Sequence, residues 1–219
     1  MQLNPLQLAV FIPNILFAIT IHECAHAWAA DRFGDPTARL MGRVTLNPLP
    51  HLDPMGTLCF IITALYGFGF GWGKPVPVNI FNLRHPRRDN MFVSAAGPIS
   101  NLIAAAFFGL VFRAAWAAGH GQGMSEIICL LAVVGIQLNV VLAVFNLIPL
   151  HPLDGSHVLG GLLPRSALVV YEQFNAYGMT ILMVLIVMGS FGGPDILGHI
   201  LRPPVSFFTA LFTGVGRLH

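Results

Sequence analysis

Residues 5–30 read PLQLAVFIPNILFAITIHECAHAWAA, an apolar stretch with one polar cluster near its end. A helix of about 20 apolar residues crosses a bilayer, because each residue adds about 1.5 Å and the hydrocarbon core is about 30 Å thick. The stretch is therefore predicted to be a membrane-spanning helix. Its polar cluster is the segment His22-Glu23-Cys24-Ala25-His26.

The composition of the whole chain indicates the same environment. Of the 219 residues, 55% are hydrophobic and only 9% are charged, whereas a soluble domain is typically about 25% charged. The net charge of +2 is too small to indicate binding to nucleic acid. The three cysteines lack the paired spacing of a disulfide framework or a CxxC metal site. No polar linker divides the chain, so a single membrane-embedded domain over residues 1–219 is predicted.

Further apolar segments follow along the chain and predict an all-α polytopic membrane protein. We expect about five transmembrane helices plus one re-entrant or sixth helical segment. A short extended stretch is predicted near residues 73–80, where the sequence alternates and holds two prolines. The apolar segments are, in chain order, Pro5–Ala30, Met55–Trp72, Met91–Ala118, Ile127–Leu150, Leu168–Phe191 and Ile196–Val215.

Basic residues predict the orientation of these segments. Three groups fall on loops that the positive-inside rule assigns to the cytoplasm. Both loops that flank Met55–Trp72 are then cytoplasmic, so this segment should enter the membrane and return. The alternative is a plain crossing helix with one basic loop outside. The three groups are Arg32, Arg39 and Arg43; Lys74, Arg84, Arg87 and Arg88; and Arg165.

The polar cluster of the first segment has the spacing of a zinc site. His22 and His26 lie on one face of a helix, one turn apart, and can bind one zinc ion. Glu23 lies near the metal without necessarily binding it, which suits a base that takes a proton from water. Counted from Asp31 at the interface, the histidines lie about 9 and 15 Å deep, where polar groups indicate function. The alternative is a helix end frayed into water, with ordinary interfacial polar residues.

A catalytic zinc takes three protein ligands and leaves one position for water. Asp154 is the best candidate for the third ligand, because it follows the fourth segment at the end that lies beside His26. Coordination would also offset the cost of burying a carboxylate. The alternative is that Asp154 caps a short helix from Gly155 to Leu163. His151 and His157 compete for the third position, although they are more simply explained as loop or interfacial histidines.

Other polar residues near these segments have open roles. Asn146 could donate a hydrogen bond to a developing oxyanion. Asn101 and Asn139 are expected to hydrogen-bond another helix within the membrane. His51 and Asp53 predict turn chemistry first, with metal or substrate contact as the alternative.

Together these residues resemble the site-2 protease family of intramembrane zinc metalloproteases, in its small prokaryotic branch, over almost the whole chain. The resemblance implies one zinc ion per chain held by His22, His26 and Asp154. It also implies Glu23 as catalytic base and contact of Asn146 with substrate or oxyanion. The matching pieces are His22-Glu23-Cys24-Ala25-His26, the block from Leu46 to Thr57, Gly73-Lys74-Pro75-Val76-Pro77-Val78-Asn79, Ala96-Gly97-Pro98-Ile99-Ser100-Asn101, Phe145-Asn146-Leu147-Ile148-Pro149 and Leu153-Asp154-Gly155.

The expected function is hydrolysis of peptide bonds within or near transmembrane segments, in a bacterial or archaeal cell membrane, with the active site open to the cytoplasm. The expected partners are the lipid bilayer and a single-pass substrate, whose unwound helix pairs with Gly73–Asn79 by β-addition. One alternative is a divalent-metal transporter, which needs polar residues on both sides of the membrane midplane. The other is a catalytically inactive membrane binding protein, in which the motif only stabilises the fold.

Overall fold

A computed structural model of the chain describes residues 5–66, 71–119 and 122–214. These residues form nine α-helices and two short 3-10 turns, at Leu49–His51 and Ile80–Asn82, and no β-strand, so the predicted all-α class is confirmed. The helices are α1 (Pro5–Phe33), α2 (Thr37–Leu40), α3 (Pro54–Tyr66), α4 (Pro86–Gly119), α5 (Met124–Asn146), α6 (Asp154–Leu162), α7 (Arg165–Asn175), α8 (Gly178–Ser190) and α9 (Ile196–Thr213).

Among the described residues, three helices are long and apolar enough to cross a membrane: α1, α4 and α5. The predicted helix over Leu168–Phe191 is instead the pair α7 and α8, bent by 52°, which qualifies as a fourth span only if the pair is counted as one. α9 does not meet the same criterion, and it carries Arg202, Pro203 and Pro204 in its interior. The predicted count of about five spans is therefore not confirmed.

The three long helices pack against one another through small residues. Ala132 and Ile136 of α5 belong to a buried cluster that α4 completes and that the apolar face of α9 covers. Glycines allow the close approach. A Cβ added at Gly135 of α5 would lie 2.8 Å from Asn14 Oδ1 of α1. A Cβ added at Gly109 of α4 would lie 2.7 Å from the carbonyl oxygen of Phe212, which belongs to α9. This packing places the polar face of α1 against α4 and α5.

The two ends of the segment 55–72 lie side by side. Leu52 and Gly73 form an isolated antiparallel bridge. A Cβ added at Gly56 would overlap the carbonyl oxygen of Trp72, so the start of α3 and the end of the segment are in direct contact. A single membrane crossing would instead separate the two ends by the thickness of the bilayer.

α3 itself is a helix of 13 residues, about 20 Å long and short of a hydrocarbon core of about 30 Å. Its geometry is compatible with the predicted re-entrant element, which stays a prediction because residues 67–70 lie outside the described part of the chain. The predicted extended stretch near 73–80 forms the single bridge at Gly73 and no strand. It ends earlier than predicted, because Ile80 begins a 3-10 turn in which Asn79 Oδ1 accepts the Phe81 N–H at 3.1 Å.

Candidate metal centre

His22, His26 and Asp154 meet where α1 and α6 pack against α4. The Nε2 atoms of the two histidines are 3.0 Å apart. Asp154 Oδ2 lies 3.1 Å from His22 Nε2 and 3.2 Å from His26 Nε2. Ligands at 2.0–2.1 Å from a tetrahedral zinc ion are about 3.3 Å from one another. The three atoms therefore have the mutual spacing of donors to a single ion, and both histidines are buried.

Hydrogen bonds at the Nδ1 atoms determine which nitrogen of each imidazole faces the centre. His26 Nδ1 lies 2.8 Å from the carbonyl oxygen of Val93, and His22 Nδ1 lies 2.6 Å from Asn101 Oδ1. Because both partners are acceptors, both Nδ1 atoms carry hydrogen, and the two Nε2 lone pairs face Asp154. Three electron-rich atoms at this distance repel unless a cation lies between them: a metal ion or, in its absence, a proton. The donor set fits zinc.

Asp154 is free to act as a ligand because it does not cap its own helix. It is the first residue of α6, Leu153 occupies the N-cap position, and no side chain caps this end. The capping alternative is therefore wrong. Asp154 Oδ2 is buried without a hydrogen-bond donor among the described residues. Burial alone would raise the pKa of this carboxyl, but in the absence of a metal ion positive charge on the imidazoles, first on His26 and then on His22, more than offsets this and holds the pKa below its usual range.

α4 holds α6, and with it Asp154, in place. Arg87 donates from Nε and Nη2 to the carbonyl oxygen of Gly160 at 3.0 and 2.8 Å, and from Nη2 to that of Leu163. Gly160 lies in the last turn of α6 and Leu163 is the residue that follows the helix, and a cation at this end is also favoured by the helix dipole. Gly161 packs closely on α4, since a Cβ there would lie 2.5 Å from that of Met91.

Gly97 of α4 provides the space that both imidazoles occupy. A Cβ added at Gly97 would overlap His26 Nε2 and would lie 2.7 Å from His22 Cε1. Ser100, almost one turn later, lies with its hydroxyl 3.3 Å from the carbonyl oxygen of Ile21, which keeps α4 close to α1. Sequence reasoning quoted Gly97 only as part of a motif and missed this role. Its four-residue spacing from Asn101 places both residues on one face of α4, but this spacing does not tell which residues of α1 that face contacts.

Glu23 lies beside the centre and outside the group of three ligands. Its Oε2 accepts the Val76 N–H at 3.1 Å. Gly73 approaches the other oxygen, since a Cβ there would lie 3.8 Å from Oε1. The segment 73–76 thus fixes the orientation of the carboxylate at the edge of the site.

Two buried residues, Arg43 and His51, bond this segment at the backbone of Lys74. Arg43, only 4% exposed, donates from Nη2 to the carbonyl oxygen of Lys74; burial lowers its pKa, and the charge of Glu23 opposes this. The carbonyl oxygen of His51 accepts the Lys74 N–H at 2.8 Å. The His51 ring is fully buried, with Nε2 2.9 Å from the carbonyl oxygen of Thr45. His51 is thus a structural residue, as the turn interpretation predicted.

Asp53 also has a local structural contact, as predicted for a turn residue, because its Oδ1 accepts the Gly56 N–H at 2.8 Å in the first turn of α3. His151 is exposed, and its backbone N–H donates to Asn175 Oδ1 at 2.7 Å. His157 lines the cavity beside the centre. In the described part of the chain, the group that could hold a metal includes neither of these histidines, so neither displaces Asp154.

A cavity of about 710 Å³ opens onto the three candidate ligands and Glu23, within the range of about 300–1,000 Å³ that is usual for ligand sites. Asn146 lies in its wall, with Nδ2 donating to the carbonyl oxygen of Leu142 at 2.9 Å. Its contact with an oxyanion stays a prediction. Apolar side chains form much of the remaining wall, among them Ile19, Trp72, Val76, Val93, Phe145, Met179 and Met183.

Comparison with known proteins links the chain to a family of peptidases. The family model for peptidase family M50 matches residues 115–189. The protein named "Putative zinc metalloprotease YwhC" from Bacillus subtilis is 41% identical over 196 residues, 85% of each chain. The protein named "Putative zinc metalloprotease Rip2" from Mycolicibacterium smegmatis is 34% identical over 180 residues, 80% of this chain and 66% of its own. No solved structure matches the chain significantly.

Identity of this extent to YwhC, over most of both chains, establishes the family. It agrees with the apolar helices, which identify an integral membrane protein, and with a donor set suited to zinc. The chain belongs to peptidase family M50, the site-2 protease family, and is a membrane zinc metalloprotease.

Proposed function

We propose that the chain hydrolyses peptide bonds within or near transmembrane segments of membrane proteins, with Glu23 as general base. One observation carries the proposal. Three acceptor atoms, on His22, His26 and Asp154, converge within about 3.2 Å of one another, with the Glu23 carboxylate beside them on the wall of the same cavity. Two of the three belong to a helix that is long and apolar enough to span the membrane.

In this proposal His22, His26 and Asp154 hold one zinc ion per chain. When bound, zinc supplies a Lewis acid that polarises the scissile carbonyl and makes water easier to deprotonate. Glu23 takes the proton from the attacking water and delivers it to the leaving amine. The Val76 N–H, bonded to Oε2, holds the carboxylate still and leaves Oε1 for the proton transfer.

Asn146 is the candidate for stabilising the negative charge that develops on the carbonyl oxygen. An amide nitrogen carries two N–H donors. One of them is bonded to the carbonyl oxygen of Leu142, which leaves the second for the oxyanion. The bond to Leu142 also anchors the side chain in the cavity wall.

The substrate would lie along the segment 73–79, as an unwound stretch of a transmembrane helix. Lys74 and Val76 already use backbone groups on one edge of this segment, toward the protein. In extended chain the alternate residues face the other edge, and here they include Pro75 and Pro77, which have no N–H. Pairing would therefore depend on substrate N–H groups that donate to proline carbonyls.

The site would open to the cytoplasm of a bacterial or archaeal cell. The end of α1 that carries His26 is followed by Arg32, Arg39 and Arg43, and short loops rich in Arg and Lys stay on the cytoplasmic side. Water would reach the zinc from that side, while the substrate would enter from the lipid.

The test compares the purified parent chain with Glu23→Gln. Both are expected to bind one zinc ion, whereas cleavage of a single-pass model substrate should fall at least 100-fold in the variant, because the general base is lost. Glu126→Gln, at an exposed position in the first turn of α5, should cleave like the parent. Equal cleavage by the parent and Glu23→Gln would refute the assigned base.

A second comparison tests the ligand set. Asp154→Asn should lose zinc, because a neutral amide replaces the anionic ligand, while Asp53→Asn, which keeps the Oδ1 acceptor of its helix cap, should retain zinc. A transporter would instead accumulate zinc in reconstituted vesicles. An inactive binding protein would hold zinc and cleave nothing on a broad panel of substrates.

A further inference from the structure

We propose that Asn101 and Asn139 form an amide pair that fixes the tautomer and the orientation of His22, and thus act as positioning residues for the metal centre. The inference rests on the proposed function, in which His22 binds zinc through Nε2. It gives these two intramembrane amides a role beyond holding helices together.

The pair links three helices through one continuous hydrogen-bonded chain. Both side chains are fully buried, Asn101 on α4 and Asn139 on α5. Asn101 Oδ1 lies 2.6 Å from His22 Nδ1. Asn101 Nδ2 donates to the carbonyl oxygen of Ala18 at 2.9 Å and to Asn139 Oδ1 at 2.8 Å. Asn139 Nδ2 donates to the carbonyl oxygen of Gly135 at 2.8 Å.

Each bond in this chain has only one possible direction. The carbonyl oxygens of Ala18 and Gly135 can only accept, so each must face an NH₂ group. Asn139 Oδ1 then accepts from Asn101, and Asn101 Oδ1 is left to accept from His22. The proton of the neutral imidazole is thereby held on Nδ1, and the Nε2 lone pair is directed at the metal position.

His26 obtains the same tautomer from a backbone carbonyl, that of Val93. Its tautomer therefore does not depend on any single side chain. His22 depends on Asn101, and Asn101 depends on Asn139 for one of its two donor contacts. Because of this difference, substitution of Asn101 or Asn139 can change the tautomer of His22 while all three candidate ligands stay in place.

Asn14 shows what a buried amide does when it only joins helices. It lies on α1 at 5% exposure, and its Nδ2 donates to the carbonyl oxygens of Val10 at 2.9 Å and of Leu131, on α5, at 3.4 Å. It is of the same residue type and similarly buried, and its hydrogen bonds within the described part of the chain go to backbone carbonyls and not to an imidazole. Asn14→Leu is therefore a matched control for the loss of a buried amide.

The experiment measures two quantities in the full chain, in detergent, for the parent and for Asn101→Leu, Asn139→Leu and Asn14→Leu. The first is the His22 tautomer in the zinc-free protein, read from ¹⁵N imidazole shifts at a pH where both imidazoles are neutral. The second is zinc affinity, by competition with a chelator. Asn101→Leu should give a mixture of tautomers and a 10- to 100-fold loss of affinity. Asn139→Leu should give a smaller loss, and Asn14→Leu parent values.

An unchanged tautomer and unchanged affinity in Asn101→Leu would overturn the inference, as would an equal loss in Asn14→Leu. If Asn101→Leu does not fold, Asn139→Leu decides, because it leaves the His22 contact in place and should still weaken zinc binding. A parent that binds no zinc refutes the proposed function instead. The Nδ1–H tautomer, present in the parent and lost in Asn101→Leu, would then still establish the positioning role.

Discussion

At the scale of single residues, one face of α4 supports both histidines. Val93, Gly97 and Asn101 are spaced four residues apart and therefore lie above one another on this face. The first offers a carbonyl oxygen to His26, the second leaves room for both rings, and the third offers an amide oxygen to His22. The two candidate histidine ligands come from α1, but their geometry depends on α4.

Gly97→Ala tests this dependence. The added methyl group would overlap His26 Nε2, so the imidazoles must move from their positions and zinc affinity should fall at least 10-fold. Gly160→Ala is the control, since a Cβ there meets nothing closer than 3.8 Å and alanine favours the helix. Chelator competition measures both; parent-like affinity in Gly97→Ala would contradict the described packing.

The sequence indicated the candidate ligands through chemistry and spacing, and could not indicate their supports. His22 and His26 are a helical turn apart, so their proximity follows from the helix itself. Asn101 was predicted to bond another helix, and it does so through Asn139. That prediction did not include the contact of Asn101 with His22. The spacing of residues along α4 carries no information about which residue of α1 Asn101 faces.

At the scale of elements, the segment 73–76 joins the surrounding loops to the Glu23 carboxylate. Arg43 and His51 bond the backbone of Lys74, and on the same edge of the segment the Val76 N–H bonds Glu23. The basic residue Arg43 was assigned by sequence to the cytoplasmic loop as an orienting charge. Its burial and its bond to a carbonyl oxygen are properties of the folded loop, which no local pattern specifies.

Arg43→Gln should lower cleavage about 10-fold or more and leave zinc content unchanged. A hydrogen bond to a charged group contributes about 1.5–3 kcal/mol, and its loss loosens the segment that orients Glu23. Arg39→Gln is the matched control, because Arg39 pairs with Asp31 at 2.7 Å on the surface, where such pairs contribute little. Cleavage and zinc stoichiometry are measured together; loss of zinc in Arg43→Gln would show a wider structural effect.

Asp35 fastens the end of α1 to the turn that follows this segment. It is fully buried and accepts four hydrogen bonds, two from Thr37, one from the Asn79 N–H and one from Asn82 Nδ2. Burial alone would raise its pKa, but the hydrogen bonds hold the pKa below its usual range. The stabilisation from the ionised group is therefore full above about pH 4 and is lost as pH falls through the folded pKa.

Asp35→Asn should thus lower the free energy of unfolding by about 2 kcal/mol at neutral pH, and the difference from the parent should shrink below about pH 4. Unfolding in detergent, followed between acid and neutral pH, measures this. Asp31→Asn, at a partly exposed carboxylate, should give a small difference throughout. A difference for Asp35→Asn that does not vary with pH would contradict the assigned ionisation.

Element boundaries follow local changes of composition. The short helix that the capping alternative placed from Gly155 to Leu163 begins one residue earlier, at Asp154. The predicted helix over 168–191 contains Glu172, Gln173 and Asn175, and this polar stretch directly precedes the break between Asn175 and Gly178. The composition therefore indicates a break there, but it carries no information about the 52° angle of the bend.

At the scale of the whole molecule, the topology is open to a direct test by cysteine labelling. Met41→Cys and Phe81→Cys, at positions 62% and 87% exposed on either side of α3, should react from the same side of the membrane. Met124→Cys, 72% exposed beyond α4, should react from the other side. The three native cysteines are first replaced by alanine, and retained cleavage checks this background. Labelling of positions 41 and 81 from opposite faces would refute the re-entrant prediction.

The distance along the chain between the two histidines and Asp154 has a consequence for biosynthesis. During translation the ribosome releases α1 first, and α6 emerges only after α4 and α5 have been made. Arg87 can then bond the carbonyl oxygens of Gly160 and Leu163 at the end of α6. Asp154, the candidate third ligand, is brought to the site together with this helix. On the proposed mechanism, the metal site therefore stays incomplete until α6 has been synthesised, and proteolytic activity can begin only after all three long helices have been made.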